Sequence, residues 1–305
     1  MDIRRLHAFV KIVDIGSITR ASSILHIAQP ALSQQIAALE AHFGKALLLR
    51  SKRGVTPTEA GKLLYRHSLQ ILKQMDQAQI DIVDSSEDIS GSVSVALAPL
   101  SLGTLLASRL MQSVRDRHPG IILHINENVG AVISEMVMMG KVDIALIYEP
   151  GEIPGLAFEP VLSEELYYIG TKIEAADGNE IAFSDAVGLP LILPSRMHTV
   201  RKVIDTALTR VGLSASVVAE TESISLMIDA IRNGIANSIL PFSAATAIGA
   251  QVQGAHIYRI TQPNMKTHMS LCVSGQLPMS EPATAVNSIL SELAHDFAQD
   301  VGNVD

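Results

Sequence analysis

Residues 16–35 read Gly16-Ser17-Ile18-Thr19-Arg20-Ala21-Ser22-Ser23-Ile24-Leu25-His26-Ile27-Ala28-Gln29-Pro30-Ala31-Leu32-Ser33-Gln34-Gln35. Gly16 ends a helix whose apolar positions, Ile3, Leu6, Phe9, Val10 and Val13, fall at helical spacing. Ser17 stands where an N-cap belongs, before a second helix that runs to Leu25. His26-Ile27-Ala28 is a short connection, and Pro30 fits the first turn of a third helix, where its missing N–H costs nothing. That helix would bury Leu32, Ile36 and Leu39 and end near Phe43-Gly44. Two short helices joined by about three residues make a helix-turn-helix. The start of the third helix presents Gln29, Ala31, Ser33 and Gln34, short or amide side chains that reach base edges without clashing in a groove.

An αα-hairpin with a polar face would share this pattern, and charge separates the two. Residues 1–80 hold 11 Lys and Arg against 5 Asp and Glu, a charge of +6. The whole chain is −8, so the remainder carries −14. A small cationic head on a large anionic body implies that the head alone meets a polyanion. After Gly44, Leu47-Leu48-Leu49-Arg50-Ser51-Lys52-Arg53-Gly54-Val55-Thr56-Pro57 reads as a hairpin wing. Arg50, Lys52 and Arg53 near its tip suit phosphates or a narrow minor groove. Thr58 then caps a long helix in which Leu64, Ser68, Ile71, Met75, Ala78 and Ile82 recur at heptad spacing. Such a seam asks for a partner helix, and Leu64, Ile71, Met75, Ala78 and Ile82 are its dimerisation candidates.

The acidic body alternates strands and helices. Ser92–Ala98, Ile121–Ile125 and Val142–Tyr148 read as strands, with helices ended by Pro119-Gly120 and by Gly140 between them. That order predicts a parallel sheet covered on both faces. A second series follows Pro150–Gly155, with strands at Leu166–Ile169, Leu191–Leu193, Val217–Glu220, Ile235–Leu240 and Ala255–Ile260. Met269–Val273 and a helix over Ala283–Phe297 return to the first series. Two lobes joined by two crossovers form a hinged cleft, at which helix N-termini favour small anions or polar metabolites. Pro99-Leu100-Ser101 and Pro194-Ser195-Arg196-Met197-His198-Thr199 lie at corresponding strand-to-helix junctions.

Composition narrows the alternatives. One cysteine, Cys272, excludes an internal disulfide, a cysteine-paired zinc finger and a two-thiol peroxide sensor. No Walker loop, GxSxG, HExxH or metal-ligand cluster is present, so neither an enzyme, nor a cofactor, nor a metal is expected. Glu164-Glu165 reads as solvated loop charge. The charge-free runs Gly91–Ser108 and Asn233–Tyr258 are broken by proline and glycine, which argues against membrane spans. Without a signal peptide, a cytoplasmic location is expected, on the nucleoid when DNA-bound.

The ordered pattern from Leu6 and Phe9 through Gly16-Ser17-Ile18-Thr19, Ala21-Ser22 and Leu25 to Ala28-Gln29-Pro30-Ala31-Leu32-Ser33-Gln34-Gln35-Ile36 and Leu39-Glu40 resembles LysR-type transcriptional regulators. Leu48-Leu49-Arg50, Arg53-Gly54-Val55 and Pro57-Thr58 with Ala60-Gly61 continue it. Within the family, Phe9–Ser17, Leu25–Gln35 and Arg53–Thr58 are most similar to the nitrogen-assimilation-control branch. The resemblance implies a winged helix-turn-helix over 1–58, a linker and dimerisation helix over 59–89, and an effector domain like periplasmic binding proteins over 90–305. Lobe I would be 90–161 with 267–305, and lobe II 162–266.

It also implies roles. Gln29, Pro30, Ser33 and Gln34 would meet bases or phosphates, and Arg53 the minor groove. The family often has arginine where Gln34 stands, and glutamine reads adenine more naturally than guanine. The effector cavity would be lined by Leu100, Ser101, Ile147, Ser195, His198, Thr199, Arg201 and Phe242. Expected partners are promoter DNA with an interrupted palindrome, RNA polymerase, a small effector and further copies of the chain, as dimer or tetramer. Members of the nitrogen-assimilation branch act without a co-inducer, which leaves a vestigial cavity as an alternative. A solute-binding α/β protein with an appended interaction domain is the rival from another class.

Overall fold

The computed structural model describes residues 2–51, 54–83, 89–148, 151–170, 178–276 and 278–302, the side chains of 80, 81, 83 and 300–302 excepted. The chain divides into two compact units, Met1–Glu87 with Met138–Lys141, and Asp88–Val137 with Val142–Asp305.

In the first unit, α1 (Ile3–Ile15), α2 (Ile18–Leu25) and α3 (Gln29–Phe43) enclose a core of Leu6, Phe9, Ile12, Ala21, Leu32, Ile36 and Leu39. Asp2 and Ser17 cap α1 and α2 by accepting the amides of Arg4 and Arg20. Gly16 closes α1 in the left-handed region at φ 68°. The wing is β1 (Leu48–Ser51) paired antiparallel with β2 (Gly54–Pro57). Glu40 fastens it to α3, its Oε1 accepting from the amides of Leu47 at 2.8 Å and Leu48 at 3.2 Å.

The long helix α4 (Glu59–Val83) follows. Thr58 Oγ1 caps it through the amide of Gly61 and donates to the carbonyl of Ala46. Tyr65 donates a short hydrogen bond to the Asp14 carboxylate, tying α4 to α1. The structure divides the heptad residues. Leu64 joins the head's own core, with Ile71 packed beside it, and Ser68 is buried. Met75, Ala78 and Ile82 are exposed, Ile82 by 83%.

In the second unit, β3 (Ser90–Leu97) pairs in parallel with β4 (Gly120–Glu127) and with β5 (Ile144–Tyr148). The helices α5 (Leu102–Arg117) and α6 (Gly130–Met138) connect them. The sheet then changes direction. The 15-residue strand β6 (Leu156–Gly170) crosses from the first lobe to the second. In the second lobe come β7 (Glu180–Ala182), α7 (Phe183–Gly188), β8 (Leu191–Leu193), α8 (Thr199–Val211), β9 (Val217–Glu220) and α9 (Ile224–Arg232). They are followed by β10 (Ser238–Pro241), α10 (Phe242–Gly249) and β11 (His256–Thr261).

The return strand β12 (Lys266–Ser274) runs antiparallel to both β5 and β6, and α11 (Glu281–Gly302) packs on α5. The β4-β3-β5-β12-β6-β11-β7 order, with β10 also on β6, makes one curled sheet shared by the lobes. The parallel sheet expected for the first series is found in β3, β4 and β5, and β12 and β6 extend it with antiparallel pairs. Both crossovers are strands, and strands that pass each other once in opposite directions must pair antiparallel. Glu164 and Glu165 are also not loop charges: both lie in β6, with Glu164 3% exposed.

Candidate DNA interface and interlobe cleft

On the head, α3 begins at Gln29 with Pro30 in its first turn and no side-chain cap, which leaves its first amides open. Gln29, Pro30, Ala31 and Gln34 are exposed and Ser33 is half-buried, while Leu32, Ile36 and Leu39 turn inward. The 3.6-residue period therefore places the candidate reading residues together on the outer face of one helix. Arg50 is exposed on β1. Lys52 and Arg53 lie outside the described residues. The wing's path depends on Gly54: its φ is 128°, and a Cβ there would stand 2.5 Å from the carbonyl oxygen of Gly16.

In the second unit, the candidate cleft residues separate into three groups. Leu100, Ser101, His198 and Thr199 come together where the two lobes meet. Leu100 sits at φ 53° in the loop after β3, yet its side chain is fully buried among Ile169, Met227, Ile231, Leu240 and Ala244 of the second lobe. Its neighbours are fixed by hydrogen bonds. Ser101 Oγ donates to the Ala98 carbonyl at 2.6 Å and caps α5 through the amide of Gly103 at 3.0 Å. His198, 1% exposed, caps α8: its Nδ1 accepts from the amide of Val200 at 3.2 Å. The proton is then on Nε2, which donates to the Pro99 carbonyl at 3.1 Å across the lobes. Burial holds this imidazole below its usual pKa, against the Pro99 hydrogen bond and the charge of Glu222. Tyr148 Oη donates to the Leu100 carbonyl at 3.4 Å. Thr199 Oγ1 lies 3.9 Å from where a Cβ on Gly130 would stand, so the lobes approach closely.

A second group is directed elsewhere. Arg201 is 4% exposed and turned toward β9, where it pairs with Asp205 at 2.8 Å and Glu220 at 2.7 Å and donates to the Pro194 carbonyl. Burial works against its charge, and the two carboxylates outweigh it. It borders an open groove of about 530 Å³ with Arg196, Leu208, Val218 and Glu220, and its charge is already matched. Ser195 donates its amide to Glu222 and caps no helix. The third group is packing. Ile147 is buried in β5, and Phe242 lays its ring against Tyr167 with centroids 5.0 Å apart.

The residues that composition and spacing passed over are Glu164, Ser243 and Tyr148. Glu164 Oε2 accepts from the amide of Ser243 at 2.8 Å and so caps α10. Burial raises its carboxyl above the ordinary range. Beside it, Glu165 faces out, held down to about 2 by Arg259. The period-two alternation of β6 was the available signal for this inside–outside split. Cys272 is buried in β12, where burial pushes its thiol up to about 12.

A winged helix-turn-helix, a long connecting helix and two α/β lobes hinged on crossover strands define a DNA-binding regulator of the LysR type, and this chain belongs to that family. Residues 3–62 match the bacterial regulatory helix-turn-helix protein, lysR family, and residues 86–294 the LysR substrate binding domain. The nitrogen assimilation regulatory protein nac of Klebsiella aerogenes is 40% identical over 293 residues, covering 96% of this chain and 95% of that protein. Among solved structures, a full-length OxyR variant from Pseudomonas aeruginosa has a TM-score of 0.71 at 18% identity, covering 96% of this chain and 94% of that one. Full-length CbnR in complex with its target DNA has a TM-score of 0.62 at 19% identity, covering 96% and 100%. The expected membership, fold class and branch resemblance are borne out, and the relatives are regulators rather than enzymes. The solute-binding rival is thereby set aside. No helix among the described residues is long and apolar enough to cross a membrane.

Proposed function

We propose that the chain regulates transcription as a homo-oligomer on an interrupted palindrome, with α3 of each paired head in a major groove. The observation that carries this is the exposed row Gln29, Pro30, Ala31 and Gln34, with Ser33, on a helix whose opposite face is core. Arg50, with Lys52 and Arg53 of the wing, would hold phosphates or enter the minor groove. Met75, Ala78 and Ile82 would meet a second copy, since their exposure leaves apolar surface that pairing would cover. Contact with RNA polymerase and a place on the nucleoid belong to the same reading. So do the domain limits 1–58, 59–89 and 90–305. An effector between the lobes would bias their closure and re-space the heads.

Gel shift on the promoters of the chain's own operon and its neighbours tests this at two salt concentrations. Binding should weaken steeply with salt, as counterion release requires. Salt-independent binding, or none, would sink the proposal. A second reading is favoured by Leu100: because the protein's own side chain fills the space between the lobes, closure needs no co-inducer.

A further inference from the structure

One residue of the reading helix holds both sides of the turn that follows it. The main-chain carbonyl of Glu40 accepts from the amide of Gly44, which closes α3, and from the amide of Lys45 at 3.2 Å. Its side chain reaches past that turn to the entry of β1, where Oε1 accepts from Leu47 at 2.8 Å and Leu48 at 3.2 Å. Those two residues are 2% and 7% exposed, so little water is at hand to take the place of the carboxylate. On its other side, the Leu47 carbonyl accepts from the amide of Thr58 at 3.0 Å, and a Cβ on Gly61 would stand 2.0 Å from it. The base of the wing is thus fixed between α3 and the start of α4, and Glu40 supplies the grip from α3.

The sign of its charge makes this arrangement informative. Glu40 lies on the same helix as Gln29, Ser33 and Gln34. A carboxylate near a polyanion repels it, so charge alone would make Glu40 weaken DNA binding. Its hydrogen bonds work the other way. Arg50 stands two residues beyond Leu48 on β1, about 7 Å along the strand. A shift at the strand's base therefore moves the Arg50 guanidinium relative to α3.

Resting on the reading of the wing as a backbone grip, we infer that Glu40 is a positioning residue for DNA binding. It sets where the wing stands relative to the reading helix, and so whether Arg50 meets a phosphate while α3 lies in the major groove. It acts by the reach of its acceptor oxygen, against the effect of its charge.

The test uses the full chain and a mixed-sequence DNA duplex, with binding followed by fluorescence anisotropy over a salt series and folding checked by circular dichroism. Glu40→Ala should weaken binding by about tenfold, the weight of one charge-assisted hydrogen bond, and lower the salt slope by about 1. Glu40→Gln keeps the reach without the charge and should stay close to the parent. Glu40→Asp keeps the charge but draws the acceptor back, so it should resemble Glu40→Ala, and it serves if Glu40→Ala does not fold. Glu40→Ala and Arg50→Ala together should cost less than the product of their separate effects, because both act through one contact. Tighter binding by Glu40→Ala would show that its charge dominates and overturn the inference. So would an unchanged slope, a parental Glu40→Asp, or strictly multiplicative effects, each with Arg50→Ala still lowering the slope and the wing reading intact. If Arg50→Ala itself leaves the slope unchanged, the wing reading falls and the inference with it.

Discussion

The amide of Val55 donates to the carbonyl of Gly16 at 2.8 Å, so the turn that opens the helix-turn-helix also anchors the wing. Gly54 makes the approach possible. Gly54→Ala places a Cβ against that carbonyl in a backbone region closed to L residues. We expect a loss of about 2 kcal/mol in the head, the scale of one severe backbone strain, read as a lower urea midpoint. A midpoint within error of the parent would mean that the wing does not need this contact.

Reading residues and grip residues should separate in DNA binding. Arg50→Ala should weaken binding to every sequence alike and lower the salt slope by about 1. Gln34→Ala should leave the slope unchanged and relax preference at one base pair by about 1–3 kcal/mol. Competition gel shifts with single-base variants of the site decide between these patterns; a uniform loss for both variants would remove Gln34 from base reading.

Leu100 carries first-lobe backbone into second-lobe core. Leu100→Ala should cost about 2–5 kcal/mol in the effector unit, the range for deleting a buried leucine. Leu100→Gly should be no worse although it removes more, because glycine accepts φ 53° without strain. Tyrosine fluorescence reports that unit, which holds Tyr148, Tyr167, Tyr168 and Tyr258 of the five tyrosines. Negligible loss in both variants would show that the core closes without Leu100.

His198 makes lobe closure acid-sensitive. Its imidazole must be neutral to accept from Val200, and burial lowers its pKa. The unfolded chain therefore binds the proton more readily than the folded one, and stability falls as the pH is lowered. The contribution is complete above about pH 6.5, the ordinary imidazole value, and is lost as pH drops below it toward the lowered folded pKa. His198→Asn, still a competent cap, should flatten the slope of melting temperature between about pH 6.5 and 5. An unchanged slope would assign the acid response to other groups.

The head was legible in the chain itself because its signals are local. Gly16, Ser17 and Pro30 punctuate helices, and Leu32, Ile36 and Leu39 repeat at the helical period. The charge split marks which part meets a polyanion. The effector domain was less legible. Strand β6 was read only over Leu166–Ile169, because Pro160 and the polar run Ser163-Glu164-Glu165 interrupt the apolar pattern before Leu166. The short α7 and α10, too brief for a clear period, were missed.

Local sequence specified the family, the reading helix and the order of elements, since each depends on neighbours a few residues apart. Three-dimensional packing alone assigned Arg201 to Asp205 and Glu220, put Leu100 inside the opposite lobe and buried Glu164 against the first turn of α10. Those outcomes depend on groups far apart in the chain, as Glu164 and Ser243 are at 79 positions, brought together by strand crossovers. Burial, which changes the charge preference of an ionisable side chain, is a property of that assembled surrounding and not of the residue or its immediate neighbours.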